Sequence, residues 1–477
     1  MNQAQRLLKN AGFLMGSQVV TLVLNFFVYT YTAIYLGAEG FGLLSFAIAF
    51  TGIFSFLMDI GLTSLIVRDA ARDRSLIKKY VENFFAIKIV LAIVTFLLIC
   101  IFANNLNYPD LTIKLIYLFA FYTIFTSFNA FIYAIFQTNE KMEYQSLGQI
   151  LNSLLMFLLI FYAIYNHLDI IAFAYIYLIV SIITFIYSLL ICYLKFITPG
   201  ISIDLSFWRV SLTEAIPFGI GAILATIYFS IDSILLSFIQ GNTAVGFYTA
   251  SYRLTTYLTI VPTVFNTAIF PVMSRLYVQS PKSLELLFEK YFKYMALVSI
   301  PLGVGTTLLA DKIILLIYGS QYFQSIIILQ ILIWATVFAF VYAAFVQLIL
   351  STNRIIIITK IFAVCVPENI LLNLILIPKY SYIGASIALV LTELTIFILF
   401  VLAVHGIGRL FNREIFFKYV YKPVVASIVM GITIVVLNSF NLFLVILMAI
   451  SIYILILILL NGIDQEDKEL LKQIIRK

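Results

Sequence analysis

The sequence predicts an all-α polytopic membrane protein. About 14 transmembrane helices are expected, in two six-helix lobes around a central cleft plus two C-terminal helices. Three observations predict this. Of the 477 residues, 63% are hydrophobic and 11% charged, and mean hydropathy is +1.09, whereas a soluble domain carries about 25% charged residues. Apolar runs of about 20 residues, enough to cover a ~30 Å hydrocarbon core, recur along the whole chain. A turn motif in the first half also returns in the second.

In order, the expected spans are 12–36, 42–66, 81–103, 113–137, 146–165, 170–194, 212–239, 247–274, 292–318, 325–350, 355–377, 382–406, 418–438 and 441–460. Met1–Lys9 precedes them as a short basic amphipathic lead-in. The first span is full length and lacks a small-residue cleavage site, so this segment is expected to stay in the mature protein. The longest connections, Val67–Tyr80, Lys195–Ser211 and Arg275–Tyr291, are too short for an independent domain.

Basic residues set the orientation. Arg6 and Lys9 precede the first span, Arg68, Arg72, Arg74, Lys78 and Lys79 follow the second, and later even-numbered connections carry Lys141, Lys195, Arg209, Arg275, Lys282, Arg354, Arg409 and Arg413. The odd-numbered connections near 37–41, 104–112, 166–169, 240–244 and 438–441 hold no Lys or Arg. Both termini are therefore expected inside, in the cytoplasmic membrane. The net charge of +7 reads as topology and attraction to anionic membrane lipids, not nucleic acid. Cys100, Cys192 and Cys365 lie inside spans without pairing or metal spacing, and His167 and His405 are isolated, so no metal or cofactor is expected.

The repeated turn is Gly37-Ala-Glu-Gly-Phe-Gly42 after the first span and Gly241-Asn-Thr-Ala-Val-Gly246 after the seventh, an offset of 204 residues. Six spans per repeat is an even number, which places the two copies in the same orientation, related by an axis along the membrane normal. The expected division is residues 1–205 and 206–410 for the two lobes, with 411–477 holding two further helices and a cytoplasmic tail.

Several blocks carry a family resemblance. Leu14-x-Gly16-Ser17-Gln18, Tyr35-Leu36-Gly37-x-x-Gly40-Phe41-Gly42, Asp59-Ile-Gly61 and Arg68-Asp69-Ala70-Ala71-Arg72 resemble the start of a Wzx-type polysaccharide flippase. Glu214-Ala-Ile-Pro217-Phe-Gly219, Ile231-Asp232-Ser-Ile-Leu235 and Val245-Gly246-Phe-Tyr248-x-Ala250-x-Tyr252-Arg253-Leu254 are similar to its seventh and eighth spans. Asn369-x3-Asn373-x4-Pro378 and Gly384-Ala385-Ser386-x-Ala388 resemble its eleventh-to-twelfth junction, where Ser381 stands in place of a frequent Gly. The resemblance implies the multidrug/oligosaccharidyl-lipid/polysaccharide exporter superfamily.

Ionisable residues inside spans are candidate site residues, because each costs about 2.5–3.5 kcal/mol at a helix centre unless it meets water or a partner. Glu214 and Asp232 are eighteen residues apart, five helical turns, and share a face with Gly221, Ala225 and Tyr228. In span 8, Thr249, Tyr252, Thr256, Thr259, Thr263 and Asn266 recur at alternating three and four beside Arg253. That stripe either lines the cleft or hydrogen-bonds between helices. Arg253 offers paired donors suited to a substrate phosphate, or else it pairs with Asp232. Lys360 and Lys88 are expected near the cytoplasmic span ends, where they either snorkel to headgroups or serve function, Lys360 being a substrate-binding candidate. Asp59, Glu368 and Glu393 either bind a coupling H+ or Na+ or neutralise an Arg or Lys across the bundle, the coupling role being favoured for Asp59 because no basic residue lies near it in sequence. Gln145, Gln149 and Asn152 form one face that either contacts sugar or packs helices.

The expected function is translocation of a lipid-linked (polyprenyl-diphosphate) oligosaccharide or polysaccharide repeat unit by alternating access, without covalent chemistry. A glycan polymerase and glycosyltransferases of the same pathway are the implied partners. The alternatives are a cation-coupled multidrug exporter of the same superfamily and, with short outer loops against it, a membrane glycan polymerase or ligase.

Overall fold

The computed structural model describes residues 3–105, 108–197, 200–408 and 413–462; the expected cytoplasmic tail and Arg409 lie outside them. The helices are α1 (Gln3–Ile53), α2 (Leu62–Arg72), α3 (Ile77–Asn105), α4 (Asp110–Thr138), α5 (Met142–Tyr165), α6 (Ile170–Lys195), α7 (Leu205–Gln240), α8 (Asn242–Leu258), α9 (Ile260–Gln279), α10 (Pro281–Ile317), α11 (Ser325–Ser351), α12 (Ile355–Gly408), α13 (Arg413–Val436) and α14 (Leu442–Leu459).

Among the described residues, twelve helical stretches are long and apolar enough to cross a membrane. Two of them exceed any single crossing: Gly12–Met58 has 47 residues and Ile355–His405 has 51, against about 20 needed. Each contains one non-helical residue, Gly37 (φ 67°, ψ 179°) and Ser381 (φ 51°, ψ −133°), that joins two helices. Splitting both gives the fourteen spans expected from the sequence. Lys379 is a basic residue in an odd-numbered connection, an exception to the charge pattern above.

Helix packing divides the chain at Thr249/Ala250, inside α8. In the first unit, α1 packs on α4, α5 and α7, α2 on α4 and α7, and α4 on α6. Two apolar clusters fill it. One holds Phe46, Phe119, Phe173 and Ile234; the other holds Leu62, Phe84, Phe131, Phe136 and Ala215. Because α7 contributes Ile234 and Ala215 to these clusters, it packs with the first unit, whereas the division at residue 205 follows the duplicated sequence. In the second unit, α10 lies on α11 and α13, α11 on α12, and α13 on α14, with Leu309, Ala426, Met430, Val445 and Tyr453 in the seam of α10, α13 and α14.

The duplicated turns meet inside the first unit. Gly37 and Gly241 adopt matching positive-φ backbones, at φ 67°, ψ 179° and φ 84°, ψ 176°, which glycine enters without steric cost. Gly42 lacks a Cβ where the Asn242 carbonyl lies, and Gly246 lacks one where the Ala38 carbonyl lies. Ala38 and Asn242 are themselves related by the 204-residue offset, so the contact is reciprocal, as a local two-fold axis makes it.

The second expected span, 42–66, is not one helix. A 3-10 turn at Phe54–Met58 interrupts it, and Ile60 (φ 45°) and Gly61 (φ 88°) reverse the backbone before α2. The break is held by backbone contact with α7: a Cβ on Gly61 would meet the Ala215 carbonyl, and one on Gly219 would fall 2.9 Å from the Ile60 carbonyl oxygen. Asp59 secures the restart of the helix by accepting the Thr63 N–H at 3.2 Å and the Thr63 hydroxyl. At the start of α7, Asp204 accepts the Phe207 N–H at 3.0 Å. The Ser206 hydroxyl, that N–H and Lys79 lower the Asp204 pKa to about 2.

Two tests of this frame use thermal melts in detergent. Gly246→Val drives a side chain into the Ala38 carbonyl and should lower the melting temperature by several degrees, about 1–3 kcal/mol of overpacking. Gly221→Ala, with nothing within 4 Å of its added carbon, should raise stability by up to about 1 kcal/mol. Equal effects would remove the reciprocal turn contact as a stabilising element. Ser381→Gly should likewise raise the melting temperature, by relieving about 1 kcal/mol of positive-φ strain.

Candidate functional site

The first unit contains a polar pocket of about 340 Å³ lined by Ser55, Asp59, Thr63, Ser64, Thr123, Thr126 and Ser127. It exists because the chain break at 54–61 leaves α1 short of α2 and exposes a patch of hydroxyls and one carboxylate on its wall. Lys88 of α3 is not part of the lining; it lies buried behind two residues that are, Asp59 and Ser127. The Lys88 ammonium donates to the Met58 carbonyl at 3.0 Å, to Asp59 Oδ1 at 3.2 Å and to Ser127 Oγ at 3.0 Å, and it sits 5.8 Å from the Phe131 ring centroid. All three of its N–H donors are used. The Lys88 side chain is 1% exposed, that of Asp59 28%, so the carboxylate is the wet member of the pair.

Two sequence-based expectations change here. Lys88 does not snorkel; it is buried and paired. Asp59 is not without a basic neighbour: the partner is 29 residues on, brought in by α3 packing on the 3-10 turn. The signal available in the sequence was a lysine flanked on both sides by apolar residues, Phe85–Ile87 and Ile89–Leu91.

A second ionic group joins α2 to α7. Arg68 donates to both Asp69 oxygens at 2.6 and 3.0 Å and to Glu214 Oε2 at 2.7 Å, while the Tyr80 hydroxyl donates to Asp69 at 2.9 Å. Glu214, expected on a binding face with Asp232, is thus an ion-pair partner of Arg68. Asp232 is buried and accepts the Tyr248 hydroxyl at 2.7 Å. Gln149 accepts the Ser17 hydroxyl at 3.1 Å, Gln145 the Gln137 amide at 3.0 Å, and Asn152 donates to Thr184 at 3.2 Å. Those three residues tie α5 to α1, α4 and α6, which is the packing reading of that face.

In the second unit, Tyr252 and Arg253 are half-buried and Thr256 is exposed on α8. The hydroxyls of Thr255 and Thr256 donate to the Tyr252 carbonyl, that of Thr259 to Thr256, and that of Thr263 to Thr259. The hydroxyls at 256, 259 and 263 are thus satisfied locally along α8 and α9, whereas that of Thr249 is buried without a hydrogen-bond partner among the described residues and Asn266 accepts the Tyr291 hydroxyl at 2.6 Å. The two arms of α12 carry a further polar group. Thr395 donates to Glu368 at 2.7 Å, Asn369 to Thr392 at 3.4 Å, and Asn373 to the Asn369 carbonyl at 2.9 Å. Glu393, buried, is hydrogen-bonded to Tyr342 of α11. Glu368 and Glu393 therefore belong to one neighbourhood, with Cys365 beside both; Lys360 is exposed on the same helix. Among the described residues no three His, Cys, Asp or Glu side chains converge for a metal ion.

Residues 7–277 match the family model described as polysaccharide biosynthesis protein. The chain is 22% identical over 402 residues to the capsular polysaccharide biosynthesis protein CapF of Staphylococcus aureus, covering 81% of this chain and 96% of that one. It is 24% identical over 391 residues to a putative O-antigen transporter of Escherichia coli K12, covering 81% and 93%. The solved structure of the lipid II flippase MurJ in an inward closed conformation superposes with a TM-score of 0.78 at 17% identity, over 93% of this chain and 97% of that one.

The pocket pair is tested by a double-mutant cycle on detergent-solubilised protein. Asp59→Asn and Lys88→Met should each lower the melting temperature. Together they should lose less than the sum, with a coupling of about 1–3 kcal/mol. Additive losses would mean that the pair contributes nothing as a pair.

Proposed function

The chain belongs to the polysaccharide biosynthesis protein family, and on that premise we propose that it is a flippase. It carries lipid-linked (polyprenyl-diphosphate) oligosaccharides or polysaccharide repeat units across the cytoplasmic membrane by alternating access, for cell-surface polysaccharide synthesis. Both termini lie in the cytoplasm, no covalent step is involved, and the repeat units come from glycosyltransferases and pass to a polymerase.

The observation that supports this reading is a polar pocket in an apolar bundle with the carboxylate Asp59 on its wall and the buried cation Lys88 paired behind it. Lys88 is a cation that a diphosphate headgroup could engage only once Asp59, its resting counterion, has been displaced or neutralised. Arg253, with Tyr252 and Thr256 on the same helix, is a separate candidate phosphate contact in the second unit. Asp232, Glu214, Gln149 and Lys360 are weaker substrate-binding candidates: the first three serve contacts within the first unit, and Lys360 is an exposed lysine of α12. Glu368 and Glu393 remain candidates for the coupling H+ or Na+.

The test is flipping in proteoliposomes that carry a fluorescent lipid-diphosphate oligosaccharide. Wild type should expose the sugar in the opposite leaflet. Arg253→Ala should slow this roughly ten- to a hundredfold, the worth of a charge-assisted hydrogen bond of about 1.5–3 kcal/mol, and Arg253→Lys should recover part of it. An unchanged rate in Arg253→Ala would remove Arg253 from the substrate contacts. No flipping, together with ion-driven movement of cationic dyes, would replace the flippase with the exporter.

A further inference from the structure

At the basic end of the seam formed by α10, α13 and α14 in the second unit, three lysines line one pocket: Lys293, Lys418 and Lys422, with Leu297, Tyr419, Pro423 and Gly462. We infer that this pocket holds the phosphate headgroup of an anionic membrane phospholipid, a lipid bound to the transporter and distinct from what it transports.

Lys293 is 95% buried, having 5% exposure, although it lies at the edge of an apolar span where a lysine can ordinarily reach water. Its ammonium sits 6.0 Å from the Tyr419 ring centroid and that of Lys418 4.9 Å from the same ring. Tyr419 is therefore a platform between two cations. Its hydroxyl donates to Glu289 Oε2 at 3.0 Å, and among the described residues the pocket lining holds three lysines and no carboxylate. Lys422 donates to the Asn461 carbonyl at 2.7 Å, which fixes one cation across the end of α14. Clusters of this kind between membrane helices suit phosphate headgroups.

The source of the phosphate follows from what lies next to the pocket. The enclosed part holds about 20 Å³, room for one water, so an anion sits at the mouth, where the exposed Lys418 and half-buried Lys422 reach it. One residue further along α10 begins an apolar groove of about 330 Å³, lined by Val298, Pro301, Leu302, Met430, Ile434 and Ile450. The Tyr453 hydroxyl, donating to the Leu297 carbonyl at 2.7 Å, marks the boundary between the basic pocket and the groove. A free phosphate would use only the pocket, whereas a phospholipid uses the pocket for its headgroup and the groove for a chain.

Native mass spectrometry of the full-length protein, with phosphatidylglycerol, phosphatidylcholine or inorganic phosphate added, tests this without reference to transport. Phosphatidylglycerol should be retained in preference to phosphatidylcholine. Lys418→Ala with Lys422→Ala should reduce that retention by about fivefold for each lysine removed, while Lys418→Arg with Lys422→Arg should keep it. Size-exclusion profiles identify any misfolded variant, and the arginine pair then carries the comparison alone. Retention unchanged in the alanine pair, retention lost in a folded arginine pair, or inorganic phosphate held as well as the lipid would overturn the inference. Because the readout is lipid binding, a failure here leaves the flippase proposal standing, and a failure to flip leaves this one standing.

Discussion

Inside hydrocarbon, a polar group has no water to fall back on, so each one must be answered by a neighbour or by a cavity. This constraint organises the whole chain. Lys88 shows it at its most demanding: an ammonium with 1% exposure is tolerated because a carbonyl, a carboxylate and a hydroxyl take its three protons. The carbonyl is available only because the backbone leaves the helix at Met58. The break that looks like a defect in span 2 thus supplies an acceptor, places a carboxylate and opens a pocket at once.

The same constraint explains why backbone meets backbone in this fold. Where Gly42 faces the Asn242 carbonyl and Gly246 the Ala38 carbonyl, the helices approach until main-chain atoms touch, and small residues allow van der Waals packing that lipid cannot match. The contact near Gly61 and Gly219 repeats the device where the helix must break. The ionic group of Arg68, Asp69 and Glu214 then ties α2, the short helix restarted there, to α7.

Much of this was legible in the sequence. Span positions follow from apolar run length, and the kinks at Gly37 and Ser381 fall where glycine, or a position resembling one, separates two runs. The duplicated turn is visible because its glycines are backbone requirements, which tolerate no substitute. Pairings across helices were not legible, for a physical reason. Periodicity tells which residues share a face of one helix, but which face meets which depends on packing distant in sequence. The basic partner of Asp59 therefore could not be named, Lys88 read as a snorkelling lysine, and Glu214 and Asp232 as one face, although Arg68 answers the first of that last pair and Tyr248 the second. The Gln149 face illustrates the converse, since its spacing was clear while its partners Ser17, Gln137 and Thr184 were not.

The unequal exposure of the pocket pair gives the proposed cycle a direction. Water in the pocket reaches Asp59, which is 28% exposed, far more readily than Lys88 at 1%. An incoming diphosphate consequently meets the negative member first and is repelled while Asp59 remains ionised. In the proposed cycle, a neutralised Asp59 would no longer repel the substrate or hold one of the three Lys88 donors. Under the proposed function, entry of an anionic substrate and uptake of a cation are linked by charge at a single pair, because neither change is favourable alone. That linkage needs no second site and no long-range signal, only the order in which the two charges are exposed.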